Sequence, residues 1–211
     1  MTLCLDRVQI SANGRPLFAP LTLDVAAGQV TTLMGPSGSG KSSILAFLCG
    51  TLDPALHATG RVHLDGADIT TQPTARRRVG ILFQDDLLFP HLSVGANLAF
   101  GLKPGPGRKA RIEAALVEAE LAGMSNRDPA TLSGGQRARA SLMRCLLAEP
   151  HALLLDEPFS RLDTDLRQRF RRFVFDHAAA RGLPVLLVTH DRQDAEAAMG
   201  PICALARVSM R

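Results

Sequence analysis

Gly35-Pro36-Ser37-Gly38-Ser39-Gly40-Lys41-Ser42 is the stretch that decides the fold. It fits the pattern G-x-x-x-x-G-K-[ST]. Upstream, Val30 to Met34 leans apolar, as a strand does. Downstream, Ile44, Leu45 and Leu48 share one side of a helix that ends near Gly50. Strand, glycine-rich loop and helix in that order make a phosphate cradle. Glycines let backbone amides turn inward, and the helix adds the positive end of its dipole. Lys41 then reaches the β and γ phosphates, and the Ser42 hydroxyl suits Mg²⁺. Ser43, next on the helix, is counted with these nucleotide-holding residues. A plain glycine-rich turn is the alternative reading. The strand before it and the helix after it argue for the cradle.

Outward from this loop the chain changes character. Before it, Leu21, Leu23 and Val25 alternate, and Val62 and Leu64 do so ahead of Asp65-Gly66. These are half-buried strands, the second entering a hairpin turn. Later, Ala152-Leu153-Leu154-Leu155 is a short continuous apolar run, as in a buried parallel strand. Leu166, Phe170, Phe173 and Val174 follow at helical spacing, Gly182 ends that helix, and Val185-Leu186-Leu187-Val188 is a second buried strand. That is a βαβ unit. Between these regions Ile112, Leu116 and Leu121 carry a helical pattern, with a loop at Gly101, Pro104, Gly105, Pro106 and Gly107. The expected architecture is α/β. A core with an N-terminal antiparallel layer takes residues ~1–84 and ~151–211, and a helical lobe is inserted at ~85–150.

At 211 residues and 46% apolar composition, the chain has the size and content of one globular domain. No apolar run reaches the ~18 residues of a spanning helix, and the N-terminus lacks a signal pattern, so a cytosolic chain is expected. Cys4, Cys49, Cys145 and Cys203 are far apart, which suggests reduced, mostly buried thiols rather than a disulfide or zinc framework. The net charge of +4 is mild, and Trp and Tyr are both absent. Arginines clump at Arg76–Arg78, at Arg137, Arg139 and Arg144, and at Arg167, Arg169, Arg171 and Arg172. Without interleaved aromatics these clumps do not read as a nucleic-acid surface. A face for phosphates or anionic lipid fits them as well.

Two further motifs carry chemistry. Leu153-Leu154-Leu155-Asp156-Glu157 presents two acids at a strand end. Asp156 can hold the Mg²⁺ shell, and Glu157 can polarise a water in line with the γ-phosphate. Leu132-Ser133-Gly134-Gly135-Gln136 opens an amphipathic, Arg-bearing helix. Read blandly it is an N-cap with a flexible turn; it is also a second anion cradle. LSGGQ, about 20 residues before an LLLDE strand, resembles the signature of the ATP-binding cassette (ABC) family, and the resemblance covers nearly the whole chain.

The resemblance implies further roles. Gln84, in Gly80-Ile81-Leu82-Phe83-Gln84-Asp85, matches the Q-loop glutamine, a sensor of Mg²⁺ and the attacking water. Ser160-Arg161-Leu162-Asp163 matches the D-loop, whose Asp163 is implied to cross a dimer interface. His190, in Val188-Thr189-His190-Asp191, matches the switch histidine that contacts the γ-phosphate. Phe83-Gln84-Asp85-Asp86-Leu87-Leu88-Phe89-Pro90-His91-Leu92-Ser93-Val94 and Glu157-Pro158-Phe159-Ser160 resemble bacterial importer ATPases. Asp128-Pro129-Ala130-Thr131 ahead of LSGGQRAR is most similar to the Ynj-type importers.

The implied protein is the ATPase subunit of an importer, on the cytoplasmic face of the inner membrane. Two copies stack head to tail, each ATP held between Gly35–Ser42 of one and Ser133–Gln136 of the other. ATP closes this dimer and hydrolysis reopens it. Permease subunits are implied to dock around Gln84–Leu92, with Leu87-Leu88-Phe89 as the contact, and a substrate-binding protein to act indirectly. An exporter ATPase is the alternative, opposed only by the importer-like Q-loop stretch. A DNA-handling cassette would need long coiled-coil arms between Lys41 and Ser133, and a P-loop kinase would have no use for LSGGQ. The family pattern is departed from in two places. Ile10-Ser11-Ala12-Asn13-Gly14 has no aromatic to stack on adenine, with Phe18 the nearest ring, and the chain runs only a strand or two past His190.

Overall fold

A computed structural model describes residues 1–206. The chain runs through β1 (Leu3–Ala12), β2 (Arg15–Pro16), β3 (Leu21–Val25) and β4 (Val30–Met34) into α1 (Lys41–Cys49). β5 (Leu56–Leu64), β6 (Ala67–Asp68), α2 (Thr74–Arg77) and β7 (Val79–Leu82) come next. Helices α3 (Val94–Phe100), α4 (Arg108–Glu118) and α5 (Gly134–Leu147) follow. The remaining elements are β8 (Ala152–Asp156), α6 (Thr164–Ala180), β9 (Val185–Thr189), α7 (Arg192–Ala197) and β10 (Ile202–Ala204). Among the described residues no helix is long and apolar enough to cross a membrane.

Two compact units result. The first holds Met1–Ile81, His151–Glu157 and the described residues from Phe175 onward. In it β1 pairs antiparallel with β2, β3 and β5, and β6 pairs with β5. Asn13-Gly14 and Asp65-Gly66 close the two tight hairpins with positive φ at both residues, the geometry that matches strand twist. A second sheet has the order β10-β4-β9-β8-β7, and β10·β4, β4·β9 and β9·β8 are parallel. Leu3, Leu5 and Ile10 of the first sheet share one buried cluster with Leu33, Ile44, Leu48, Leu154 and Leu186. Each such side chain contributes about 1.5–3 kcal/mol on burial, so the alternating and continuous apolar runs build one core from two kinds of sheet.

The second unit holds Leu82–Pro150 and also Pro158–Val174. Chain order alone places the latter segment with the core. Packing draws it across: Leu166 lies against Gly135, and Phe159 meets Phe170 edge-on with centroids 5.9 Å apart. Leu121 is fully buried but lies beyond α4, because Glu120 turns into the left-handed region (φ 56°) and ends the helical pattern early. The four cysteines form no disulfide, but only Cys49 is buried; Cys4, Cys145 and Cys203 are half-buried.

The arginine clumps are not one basic face. Arg77 is buried. Its Nη1 donates to the Phe47 and Leu48 carbonyls at 2.6 and 3.1 Å, its Nη2 to Thr70 at 2.6 Å and its Nε to Gln72 at 2.7 Å. The guanidinium thus caps the last carbonyls of α1, where a cation also meets the negative end of the helix. Gly50 makes room for it, since a Cβ there would sit 2.7 Å from Nε. Arg77→Ala strands these carbonyls. We expect a loss of about 2–4 kcal/mol in urea unfolding; a loss under about 1 kcal/mol, the worth of one ordinary hydrogen bond, contradicts this account.

Candidate functional site

Three neighbouring parallel strands of the first unit end side by side. β4 runs into the glycine loop, β9 ends one residue before His190, and β8 ends at Asp156. The register sets Met34 opposite Thr189 and Asp156 opposite Val188. Gly35–Ser42, Asp156, Glu157 and His190 therefore gather at the carboxyl edge of the sheet, where open α/β sheets place their ligands.

Inside the loop, Gly38 and Gly40 have φ of 73° and 95°. Gly40 also has no room for a side chain, because a Cβ would lie 3.0 Å from the Phe18 ring. Lys41 is only 6% exposed, and its Nζ donates to the carbonyls of Gly35 (2.7 Å) and Pro36 (2.9 Å). The loop is thus curled around its own cation. The Ser39 hydroxyl is buried without a hydrogen-bond partner. Such an orphaned group needs an explanation, and an anion seated in the loop supplies one. The donor set therefore fits a nucleotide phosphate.

Asp156 accepts a hydrogen bond from the Ser42 side chain. Burial, and then the charge of Glu157, raise its pKa above the usual carboxylate value, while Ser42 and Lys41 pull the other way. A half-buried acid whose charge is penalised by burial and which already bonds Ser42 fits a divalent cation shared with Ser42. The linkage has a definite sign. A carboxyl whose folded pKa is raised costs stability above that pKa, and costs nothing below the unfolded value. Asp156→Asn should therefore raise the Tm of the ligand-free chain at neutral pH and lose that advantage in strong acid. An unchanged Tm across the range would contradict the assignment of cause.

Glu157 sits beside it with φ 47°, an uncommon conformation for a residue with a side chain. Its N–H donates to the Val188 carbonyl at 2.9 Å, which ties the strained residue to β9. Its Oε1 lies 3.1 Å from Nδ1 of the exposed His190. Base candidate and switch candidate are therefore in direct contact.

The other sequence candidates lie in the second unit. Ser133 and Gln136 form a capping box on α5: Ser133 Oγ accepts from the Gln136 N–H at 3.3 Å, and Gln136 Oε1 accepts from the Ser133 N–H at 2.9 Å. The plain N-cap reading and the signature reading thus fall on the same atoms. Gly134 is open, whereas a Cβ on Gly135 would reach within 2.4 Å of Leu166. Asp163 is exposed and caps α6 by accepting from the Leu166 N–H at 2.9 Å. Gln84 is exposed just past β7. Of the expected docking cluster, Leu87 is exposed while Leu88 and Phe89 are half-buried.

Asn97 escaped the sequence reading. It is fully buried on α3, where its Nδ2 donates to the carbonyls of Phe89, Leu92 and Ser93, and its Oδ1 accepts from the Phe89 N–H. It fixes the Phe89–Ser93 loop. Its only signal was a polar residue on the apolar side of a short helix. Phe18 is fully buried beneath Gly40, so its ring is not available to a base.

Residues 18–160 match the family model described as ABC transporter. The chain is similar to the ABC transporter ATP-binding protein YnjD of Escherichia coli, with 47% identity covering 92% of this chain and 91% of that protein. It is 42% identical to the thiamine import ATP-binding protein ThiQ of Jannaschia sp., over 91% of this chain and 83% of that protein. It is 40% identical to the sulfate/thiosulfate import ATP-binding protein CysA of Caulobacter vibrioides, over 92% of this chain but 59% of that longer protein.

Proposed function

This chain belongs to the ABC transporter family and is an ATP-binding, ATP-hydrolysing import subunit; from that premise we propose how its residues do the work. The observation that carries the proposal is the convergence of Lys41, Ser42, Asp156, Glu157 and His190 on three adjacent strand ends. Lys41 and the amides of Gly35–Ser43 hold the ATP phosphates, and Lys41 exchanges two loop carbonyls for phosphate oxygens. Ser42, Asp156 and Gln84 would hold Mg²⁺, and the ion would neutralise phosphate charge. Glu157 takes the proton of the attacking water. His190 orients Glu157 and meets the γ-phosphate.

Ser133–Gln136 and Asp163 act on the ATP of a second copy, in a head-to-tail homodimer. ATP favours the closed dimer because both copies gain phosphate contacts only in its presence. The dimer works at the cytoplasmic face of the inner membrane against permease subunits, served by a substrate-binding protein. The import names of the relatives favour import over the exporter alternative. Phosphate release by the purified chain, with phosphate passed to water alone, tests the ATPase reading. Co-purification of an integral membrane partner tests the importer reading.

The base is weakly read in this proposal. The hairpin at Asn13-Gly14 carries no ring, Tyr and Trp are absent, and Phe18 is locked in the core. Stacking worth about 1–3 kcal/mol per base is therefore missing. ATP and GTP should compete within about tenfold for the purified chain, as expected where phosphate contacts common to both dominate. A strong preference for ATP would mean that another contact holds the adenine.

A further inference from the structure

Two adjacent acids follow Gln84, and each engages an arginine from a different motif. Asp86 Oδ2 accepts from Arg137 Nε at 3.1 Å. Arg137 directly follows the signature and also donates from Nη1 to the Leu132 carbonyl at 2.7 Å, so one guanidinium grips the residue ahead of Ser133 and Asp86 together. One turn along α5, the Ser141 hydroxyl donates to the Asp86 carbonyl at 2.7 Å. Asp85 pairs with Arg161, which lies inside the Ser160–Asp163 segment. All four charged side chains line one cavity of about 490 Å³ in the second unit.

The physics favours a specific role over decoration. The Asp86 side chain is only 28% exposed beside Arg137, so losing either partner leaves a half-buried charge without its counter-ion. Bonds to both the side chain and the backbone of Asp86 fix it firmly, whereas the exposed Asp85–Arg161 pair is the weaker arm. The two segments held in this way are the two that the proposed function sends across the dimer interface.

We propose that Asp85 and Asp86 are positioning residues: a two-acid bracket that holds the signature helix and the Asp163 segment in register for ATP-driven closure. The bracket rests on the dimer reading above.

The test uses the full chain carrying Glu157→Gln, so that ATP persists. Light scattering gives the ATP concentration at which half the protein is dimeric. A fluorescent ATP analogue at low protein concentration gives monomer affinity. Asp86→Ala should raise the half-closure concentration about tenfold, the scale of a coupled charge pair, and Asp85→Ala, whose pair is exposed, about two- to threefold, with monomer affinity held. Asp86→Ala added to Arg137→Ala should shift closure no further than Arg137→Ala alone. Unchanged closure, additive shifts or a parallel loss of monomer affinity would each overturn the bracket. Should the alanine variants not fold, Asp86→Asn and Asp85→Asn keep side-chain size and take the same readings. If the Glu157→Gln parent fails to dimerise, the functional reading falls, and the bracket is judged in the monomer. There, Asp86→Asn must speed hydrogen exchange at Ser133–Arg137 more than elsewhere; uniform or absent change rejects it.

Discussion

Glu157→Gln will cut ATP hydrolysis by roughly 10²–10⁴, the worth of a general base, while ATP binding persists and an ATP-bound dimer accumulates. Glutamine keeps the length and shape of the side chain, so the contact with His190 Nδ1, 3.1 Å away, has a like-sized partner. What is lost is the oxygen able to take a proton from water. Single-turnover phosphate release measures the loss, and near-wild-type release would remove Glu157 from the mechanism. The backbone offers an independent control. Because Glu157 sits at φ 47°, Glu157→Gly should relieve strain of about 1 kcal/mol and be just as inactive. A chain made more stable by a change that stops its chemistry would mark this strain as retained for function.

Mixing Lys41→Ala subunits with Ser133→Arg subunits will rebuild one working site in a mixed dimer. Each variant alone should fail. Lys41→Ala removes the buried ammonium that now bridges the Gly35 and Pro36 carbonyls. Ser133→Arg removes one half of the α5 capping box, at about 1 kcal/mol, and crowds the anion cradle. In the mixed dimer both lesions fall on one composite site, and the other pairs an intact Lys41 with an intact Ser133. Chemical cross-linking should then capture ATP at one site per dimer. Two equal sites, or none, would mean that loop and signature of the same copy serve the same ATP.

Wherever a short motif carries its own chemistry, the order of residues was enough. Gly38 and Gly40 announce backbone that only glycine adopts cheaply, Leu153–Leu155 announce a strand buried on both faces, and Asp65-Gly66 a tight hairpin. These are local demands, met within a few residues of chain, so they are legible without a fold. They determined the glycine loop, the acid pair at the strand end and the α/β class. Other features depend on which distant residues become neighbours. Only the tertiary structure turned Arg77 from surface charge into a buried cap on α1, buried Asn97 under the Phe89–Ser93 loop, and placed Phe18 under Gly40 instead of beside a base. It likewise drew residues 158–174 into the helical unit and set Arg137 and Arg161 against Asp86 and Asp85. The reason is that a long polar side chain has no fixed role of its own. Its partner, lying 30 to 76 positions away for Arg77 and Arg161, decides whether it is solvated charge, helix cap or brace.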